Sequence, residues 1–348
     1  MTEHEISYTT TEQQIEKLIS QGLIIRDKEY AKKCLSSFGY SNLIKSYREP
    51  YMITVDGRKV FRSGITFEQL CSLYILDKNL RNAVIASMLD LEEHIKEAAA
   101  DVIAKAFGIH QDEYIQYRHY QNKRKHIPRF TLSAILRKLT DTLDTDKDPI
   151  HHYNTEHGIV PPWILFKSIY FSTIINFIDQ FKRDEQIALV DRLYDTKKLK
   201  AEPTDLALLM MDTLFVCLDY RNMSAHGARI YNHSCGRSIR YTPITIPSHG
   251  FSMLLCLLSF FNYQSPYNSL SEALNREINR HCKQFPSDVT YLSTILNVNI
   301  SEESVVWISK RSNIFHANRH CSGLINAQRI DYEKALEQGY QPCYRCCK

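Results

Sequence analysis

Leu80, Val84, Met88, Leu91, Ile95, Ala98 and Val102 recur at steps of four and three along one stretch of the chain. At about 100° per residue those steps keep all seven on one side of an α-helix for about six turns. A helix of this length that starts near Phe67 obliges the rest of the chain to build a core around its apolar stripe. Asp77–Arg81 and Glu92–Lys96 are oppositely charged pairs four residues apart on the same helix, each worth a few tenths of a kcal/mol when exposed.

The neighbouring segments read the same way. TEQQIEKLISQGL offers Thr N-caps, a Gln three residues on and Gly22 as a stop. DKEYAKKCLSSFG is a second short helix, and Ile164–Phe181, entered through Pro161-Pro162, and Leu206–Tyr220 are two more. Before residue 300 the one strand signal is YMITVDGRKVF, a hairpin turning at Asp56-Gly57. YTPITIPSHG, with two prolines, is a loop. The fold class is therefore all-α. Near Asn299 the character changes: VVWISKRSNIFH is extended and clustered cysteines follow. The expected organisation is a helical domain over residues 1–299 and a small α+β module over 300–348.

The first residues are polar and acidic, unlike a signal peptide. No run of about 18 apolar residues is present, so no membrane span is expected, and FSMLLCLLSFFNY is a buried helix instead. Six of the ten cysteines are scattered singly, as reduced thiols are, which suits the cytoplasm. A net charge of +4 does not by itself demand nucleic acid.

The apolar helix ending in LDYRNMSAHGARIYNH breaks pattern abruptly, with Arg221, Asn222 and His226 within six residues. The spacing Arg-x4-His is cheap: Arg276/His281 and Arg311/His316 repeat it. A structural role, Arg221 on a carboxylate and His226 capping the helix end, fits the spacing equally. Context favours the first copy. It ends a rigid apolar helix, Asn222 lies four residues before His226 and can orient its ring, and Ala225 and Gly227 leave room around it. An Arg binds a phosphate and stabilises a pentacoordinate transition state. A His takes a proton from a ribose 2′-hydroxyl or gives one to the leaving oxygen. Together they suit cleavage of RNA with no cofactor for the catalysis, and a homodimer would supply the second proton-transfer group.

YRHYQNKRKHIPRF interleaves Arg118, Lys123, Arg124, Lys125 and Arg129 with Tyr117, Tyr120 and Phe130, a pattern that suits phosphates and stacked bases or a plain solvated loop. Arg229 adds a cation beside His226. At the other end, His316, Cys321, Cys343 and Cys346 form H-x4-C…C-x2-C around the short helix DYEKALEQG, the spacing of a structural Zn2+ site. His320 is an alternative to His316, and Cys347 is surplus.

ALLMMDTLFVCLDYRNMSAHGARIYNH resembles the RNxxxH segment of HEPN domains, and the chain resembles more narrowly the Abi-like (AbiD/AbiF-type) abortive-infection family. QIEKLISQGLIIRDKEYAKKCLSSFGYSNLIKSYREPYM resembles that family's N-terminal segment, FEQLCSLYILDKNLRNAVIASMLDLEEHIKEA its LYxFDxxLR helix, and PPWILFKSIYFSTIINF its Pro-Pro-x-Trp segment, with Ser172 where Gly is usual. The likeness covers roughly residues 7 to 235. It implies a HEPN-type helical bundle and a homodimer with a composite site of Arg221, Asn222 and His226. It implies too an endoribonuclease toxin of phage defence, restrained by a regulatory non-coding RNA or an antitoxin. Some HEPN toxins are modified on a Tyr two residues after the His; Ala228 stands there in this chain. The tail resembles the zinc-binding module of Ada-type repair proteins through Tyr340, Pro342, Cys343 and Cys346. The competing reading is a silent RNA-binding module, or an RNA-held scaffold, with a zinc-stabilised nucleic-acid-binding tail.

Overall fold

A computed structural model of the chain describes residues 8–240, 245–300, 305–316, 319, 321, 324 and 326–347. The chain divides into two compact units, Met1–Arg81 with Glu272–Lys348, and Asn82–Ser271. The architecture is mostly helical with a small C-terminal sheet. The long helix Phe67–Phe107 gives its first turns to one unit and the remainder to the other. Its stripe is buried throughout, from Leu80 at 0% exposed to Val102 at 5%, and each large apolar side chain on it contributes about 1.5–3 kcal/mol by leaving water.

In the first unit, Thr11–Ser20 opens on Thr10, whose side chain accepts from the Gln13 backbone while Gln13 returns the bond. Gly22, at φ +87°, ends it, and the Leu23 N–H reaches back to Leu18 O at 3.0 Å, a Schellman end that only a residue at ease with positive φ closes without strain. This helix packs on Lys28–Phe38. Strands β1 (Met52–Val55) and β2 (Arg58–Phe61) pair around Asp56-Gly57, both at positive φ, the geometry of a tight hairpin turn.

Two buried carboxylates organise this unit. Asp77 holds Arg81 and the Tyr47 hydroxyl; the i,i+4 pair is interior, with Asp77 at 0% exposed. Asp288 accepts from the Tyr51 hydroxyl (2.6 Å), Gln69 Nε2 (2.8 Å) and His281 Nε2 (2.9 Å), while His281 Nδ1 meets Ser72 Oγ at 2.9 Å. Burial pushes the Asp288 carboxyl up, but hydrogen bonds from His281, Tyr51 and Gln69 outweigh it and hold the group below its ordinary 3.8.

The change expected near Asn299 appears inside this unit: the last helix of the run, Val289–Leu296, gives way to a four-stranded sheet. β3 (Val305–Ser309) and β4 (Ser312–His316) form an antiparallel hairpin, β5 (Gln328–Asp331) flanks β3, and β6 (Gln341–Pro342) runs parallel to β4. The helix Tyr332–Glu337 covers it, stopped by Gly339 at φ +79°.

In the second unit the centre is Pro203–Ala225, hereafter the motif helix, a turn longer at each end than the apolar run suggested. It packs against Phe171–Ile178, Arg183–Leu193 and Gly250–Leu258. The single helix expected over Ile164–Phe181 is broken. Pro162–Leu165 and a 3-10 turn stop at Ser168, Ile169 and Tyr170 are extended, and Phe171–Ile178 starts anew. Extended backbone turns successive side chains to opposite sides, so Ile169 is 2% exposed and Tyr170 beside it 73%. Residues 241–244 of the expected proline loop lie outside the described residues. Among the described residues no helix is long and apolar enough to cross a membrane.

Replacing Asp288 by Ala would leave Tyr51, Gln69 and His281 facing an interior with no acceptor. A loss of about 3–5 kcal/mol in a urea titration is expected, the cost of breaking a buried charged network. Because the folded pKa is depressed, the carboxylate's contribution is complete above pH 3.8 and fades as pH falls through the folded value. The gap in urea midpoint between parent and variant therefore narrows in strong acid.

Candidate functional site

The motif helix is buried on almost every side as far as Tyr220: Leu206, Leu209, Met210, Leu214, Val216, Cys217 and Tyr220 are all at 0% exposed. Beyond it the surface opens. Arg221 and Asn222 are half-buried and Ala225 and His226 exposed. The helix stops in a Schellman motif, with Ala228 N–H on Met223 O (3.0 Å), Gly227 N–H on Ser224 O (3.1 Å) and Gly227 at φ +70°. That closure fixes the His226 backbone as the C-cap.

Among the described residues Arg221 makes no ion pair, and neither Asn222 nor His226 makes a side-chain hydrogen bond. Asn222 meets His226 through its backbone carbonyl, 3.0 Å from the His226 N–H, so the amide does not orient the ring. Five residues at about 100° each place Arg221 and His226 about 140° apart around the axis. One helix presents them in diverging directions.

The histidines of the other two Arg-x4-His copies have ordinary explanations. Arg276 pairs with Glu277 and His281, with no exposed surface, is committed to Asp288 and Ser72. His316 belongs to the cysteine cluster. Of the three, the copy at Arg221 alone leaves its His in solvent.

The chain after Gly227 returns to the helix. His233 Nε2 lies 2.6 Å from Asp219 Oδ2, its ring stands edge-on to Tyr220, and its carbonyl accepts from the Tyr220 hydroxyl at 3.3 Å. Arg229, between the two His residues, is exposed. Farther on, Arg237 and Arg240 both bond Asp212, which is 1% exposed inside the helix. These two arginines were missed from the sequence; the signal was a lone carboxylate in the apolar run LLMMDTLF, which burial obliges to find a cation.

The basic segment is only partly free. Lys123 and Lys125 both pair with Asp179, and Lys125 also meets Asn176 at 3.2 Å. Burial pushes the Asp179 carboxyl up, but the two lysines hold it below its ordinary value. Tyr120, one of the rings expected to stack on bases, is core: it is 5% exposed and donates to Tyr114 O. Arg118, Arg124 and Arg129 are exposed, as is Tyr117 at 48%.

In the other unit the sheet assembles the cysteine cluster. Parallel pairing of β4 with β6 sets the Cys343 N–H on Phe315 O at 2.9 Å, beside His316. Cys321 Sγ is 3.8 Å from Cys343 Sγ, Cys346 Sγ is 3.6 Å from His316 Nδ1, and all four ligand atoms lie within 4.8 Å of one another. A tetrahedral zinc with bonds of about 2.3 Å to sulfur and about 2.0–2.1 Å to nitrogen has edges of about 3.8 Å between sulfurs and about 3.6 Å between sulfur and nitrogen. The two closest edges match those lengths, and the cluster can hold a metal ion. Burial lowers the His316 pKa, which keeps the imidazole in its neutral, ligating form. His320 lies outside the described residues. The surplus Cys347 packs against Val306, Ile308, Phe315 and Ala335, with its thiol on Phe315 O at 3.5 Å.

Elemental analysis is expected to find about one zinc per chain, and none in Cys343→Ser or Cys346→Ser. His316→Ala should lose the metal and His320→Ala keep it; the opposite result would transfer the ligand role to His320.

No curated protein and no solved structure matches the chain. A family model described as Abi-like protein matches residues 33–232, more than half of the length and inclusive of Arg221, Asn222 and His226. The chain belongs to the Abi-like protein family, and that membership ties it to abortive infection, a phage-defence response.

Proposed function

We propose that this chain is a HEPN-type endoribonuclease toxin that cleaves RNA by internal attack of a ribose 2′-hydroxyl. Arg221 binds the phosphate and stabilises the charge of the pentacoordinate transition state, and His226 carries a proton. The observation that supports this reading is the state of that pair. They end a buried helix, with Arg221 half-buried and His226 exposed, and are spent on no carboxylate among the described residues, whereas the histidines of the two look-alike pairs are committed elsewhere.

The divergence of about 140° on one helix favours a composite site. Two copies related by a two-fold axis bring the Arg of one protomer and the His of the other to a single phosphodiester, and two histidines supply both proton transfers. Arg118, Arg124, Arg129 and Arg229 are exposed cations that would guide the strand. Zinc, held by His316, Cys321, Cys343 and Cys346, serves the tail's fold and takes no part in the cleavage. A regulatory RNA or an antitoxin restrains the enzyme in the cytoplasm.

A second reading, RNA binding without cutting, draws on the charge distribution. Residues 300–348 hold seven Lys and Arg against five Asp and Glu, a surplus of two. A basic zinc-stabilised tail would bind nucleic acid whatever the motif does.

Labelled RNA incubated with the purified chain in EDTA separates the two. Cleavage leaving 2′,3′-cyclic phosphate ends is expected. His226→Ala should lower the rate by about 10²–10⁴, and Arg221→Ala by about 10²–10³, with RNA binding largely kept. Equal binding by parent and variants with no cyclic ends from any of them would leave the silent module.

A further inference from the structure

Asp212, Phe215, Asp219, Asn222 and His226 follow one another at steps of three and four, so they form a stripe along the motif helix that ends at its open tip. The upstream end of the stripe is built from groups that the cleavage does not use. Asp212 accepts from Arg237 Nε at 3.0 Å and from Arg240 through its backbone N–H (2.9 Å), Nε (3.1 Å) and Nη2 (2.9 Å). One buried carboxylate therefore serves two guanidinium groups, which leaves a positive surplus at the surface.

The two arginines are held differently. Arg240 turns Nε and Nη2 inward to the carboxylate. Arg237 gives Asp212 only its Nε, and its guanidinium carbon lies 4.3 Å from the centroid of the Phe215 ring. Lys125 Nζ lies 5.7 Å from the same ring. Among the described residues the two terminal nitrogens of Arg237 donate to nothing, and its side chain is 34% exposed. It also lines an open depression of about 550 Å³ together with the hydroxyl-bearing Ser234, Ser238, Thr245 and Ser248.

A guanidinium tethered at Nε and stacked on a ring has lost most of its freedom before any ligand arrives. Its two outward N–H groups then form a fork of the shape a phosphate takes. Serine and threonine hydroxyls beside it are common donors to phosphate and sugar oxygens. The distance along the helix from Phe215 to His226 is about 16 Å at 1.5 Å per residue, the span of a short run of extended single strand.

We propose that Arg237 forms a phosphate subsite for single-stranded RNA, upstream along the motif helix from the phosphodiester at His226. Such a subsite presupposes the ribonuclease reading of Arg221 and His226, and extends it with a residue outside the motif.

The test is a binding titration in an uncleaving background, His226→Ala, with a fluorescent single-stranded oligoribonucleotide at several salt concentrations. Arg237→Ala leaves Asp212 with Arg240 as partner, so the chain is expected to stay folded, with the unfolding midpoint lowered by about the worth of one charge-assisted hydrogen bond. RNA affinity should fall about tenfold, as for one charge-assisted contact, and the slope of log affinity against log salt should become shallower by about 0.7. Arg237→Lys, which keeps the charge but loses the fork, should keep the salt slope and recover part of the affinity. Unchanged affinity and slope in a folded Arg237→Ala chain would overturn the subsite. If that variant fails to fold, the lysine variant decides, since affinity equal to the parent's would also overturn it. RNA cut and bound alike by parent and Arg237→Ala sinks the subsite and spares the nuclease. Binding that depends on Arg237 in a chain that never cuts RNA spares the subsite and sinks the nuclease.

Discussion

The burial of the motif helix on nearly every side is the constraint from which the second unit follows. A helix that sits among Phe171–Ile178, Arg183–Leu193 and Gly250–Leu258 cannot rotate or slide without exposing apolar surface on one side and opening voids on another. Its last turn therefore emerges at a fixed place and angle, and the Schellman closure at Gly227 fixes how the chain leaves it. Side chains held on such a platform lose little entropy when a ligand binds. The one charge inside the helix, Asp212, has a structural consequence of its own: it draws the chain at Arg237 and Arg240 back onto the helix.

Charge matching explains why Arg221 stands out. Elsewhere in the chain buried or half-buried carboxylates collect the nearby cations or hydrogen-bond donors. Asp179 takes Lys123 and Lys125, Asp212 takes Arg237 and Arg240, Asp77 takes Arg81, and Asp288 takes His281. A guanidinium half-buried without such a partner among the described residues keeps its donors for something outside the chain. The same reasoning removes Lys123 and Lys125 from the front rank of RNA contacts, because a phosphate would have to compete with Asp179 for them.

What was legible in the sequence is what short spacings encode. The stripe from Leu80 to Val102, the Thr10–Gln13 box, the Asp56-Gly57 turn, the strands at Val305–His316 and the pairing of His316/Cys321 with Cys343/Cys346 all appear where period and turn chemistry put them. What stayed hidden depends on partners far apart in the chain. Lys125 and Asp179 are 54 residues apart, and Arg237 and Asp212 are 25 apart; no local pattern marks either pair. The break at Ile169 and Tyr170 was invisible because the run is apolar enough to satisfy a helix, and burial of Ile169 rather than propensity decided it. Tyr120 looked like a stacking ring because its neighbours are basic, yet an aromatic ring is as much at home in a core, and Phe177 and Phe181 supply one.

The C-terminal sheet obeys a different economy from the helices. Its buried apolar cluster is Val306, Ile308, Phe315 and Ala335, with Ile330, Tyr340 and Cys347 against it, too little to order a module of this size by hydrophobic burial alone. The cysteines add to the difficulty while no cation is bound. Burial and the neighbouring thiols push the Cys321 thiol up to about 12, whereas backbone and thiol hydrogen bonds draw Cys343 the other way against the cost of its burial. A divalent ion at their centre removes that conflict: the thiols give up their protons and the sulfur atoms, otherwise crowded and mutually repelling, become ligands of one charge. With an ion held there, metal binding and folding of the tail would be a single equilibrium.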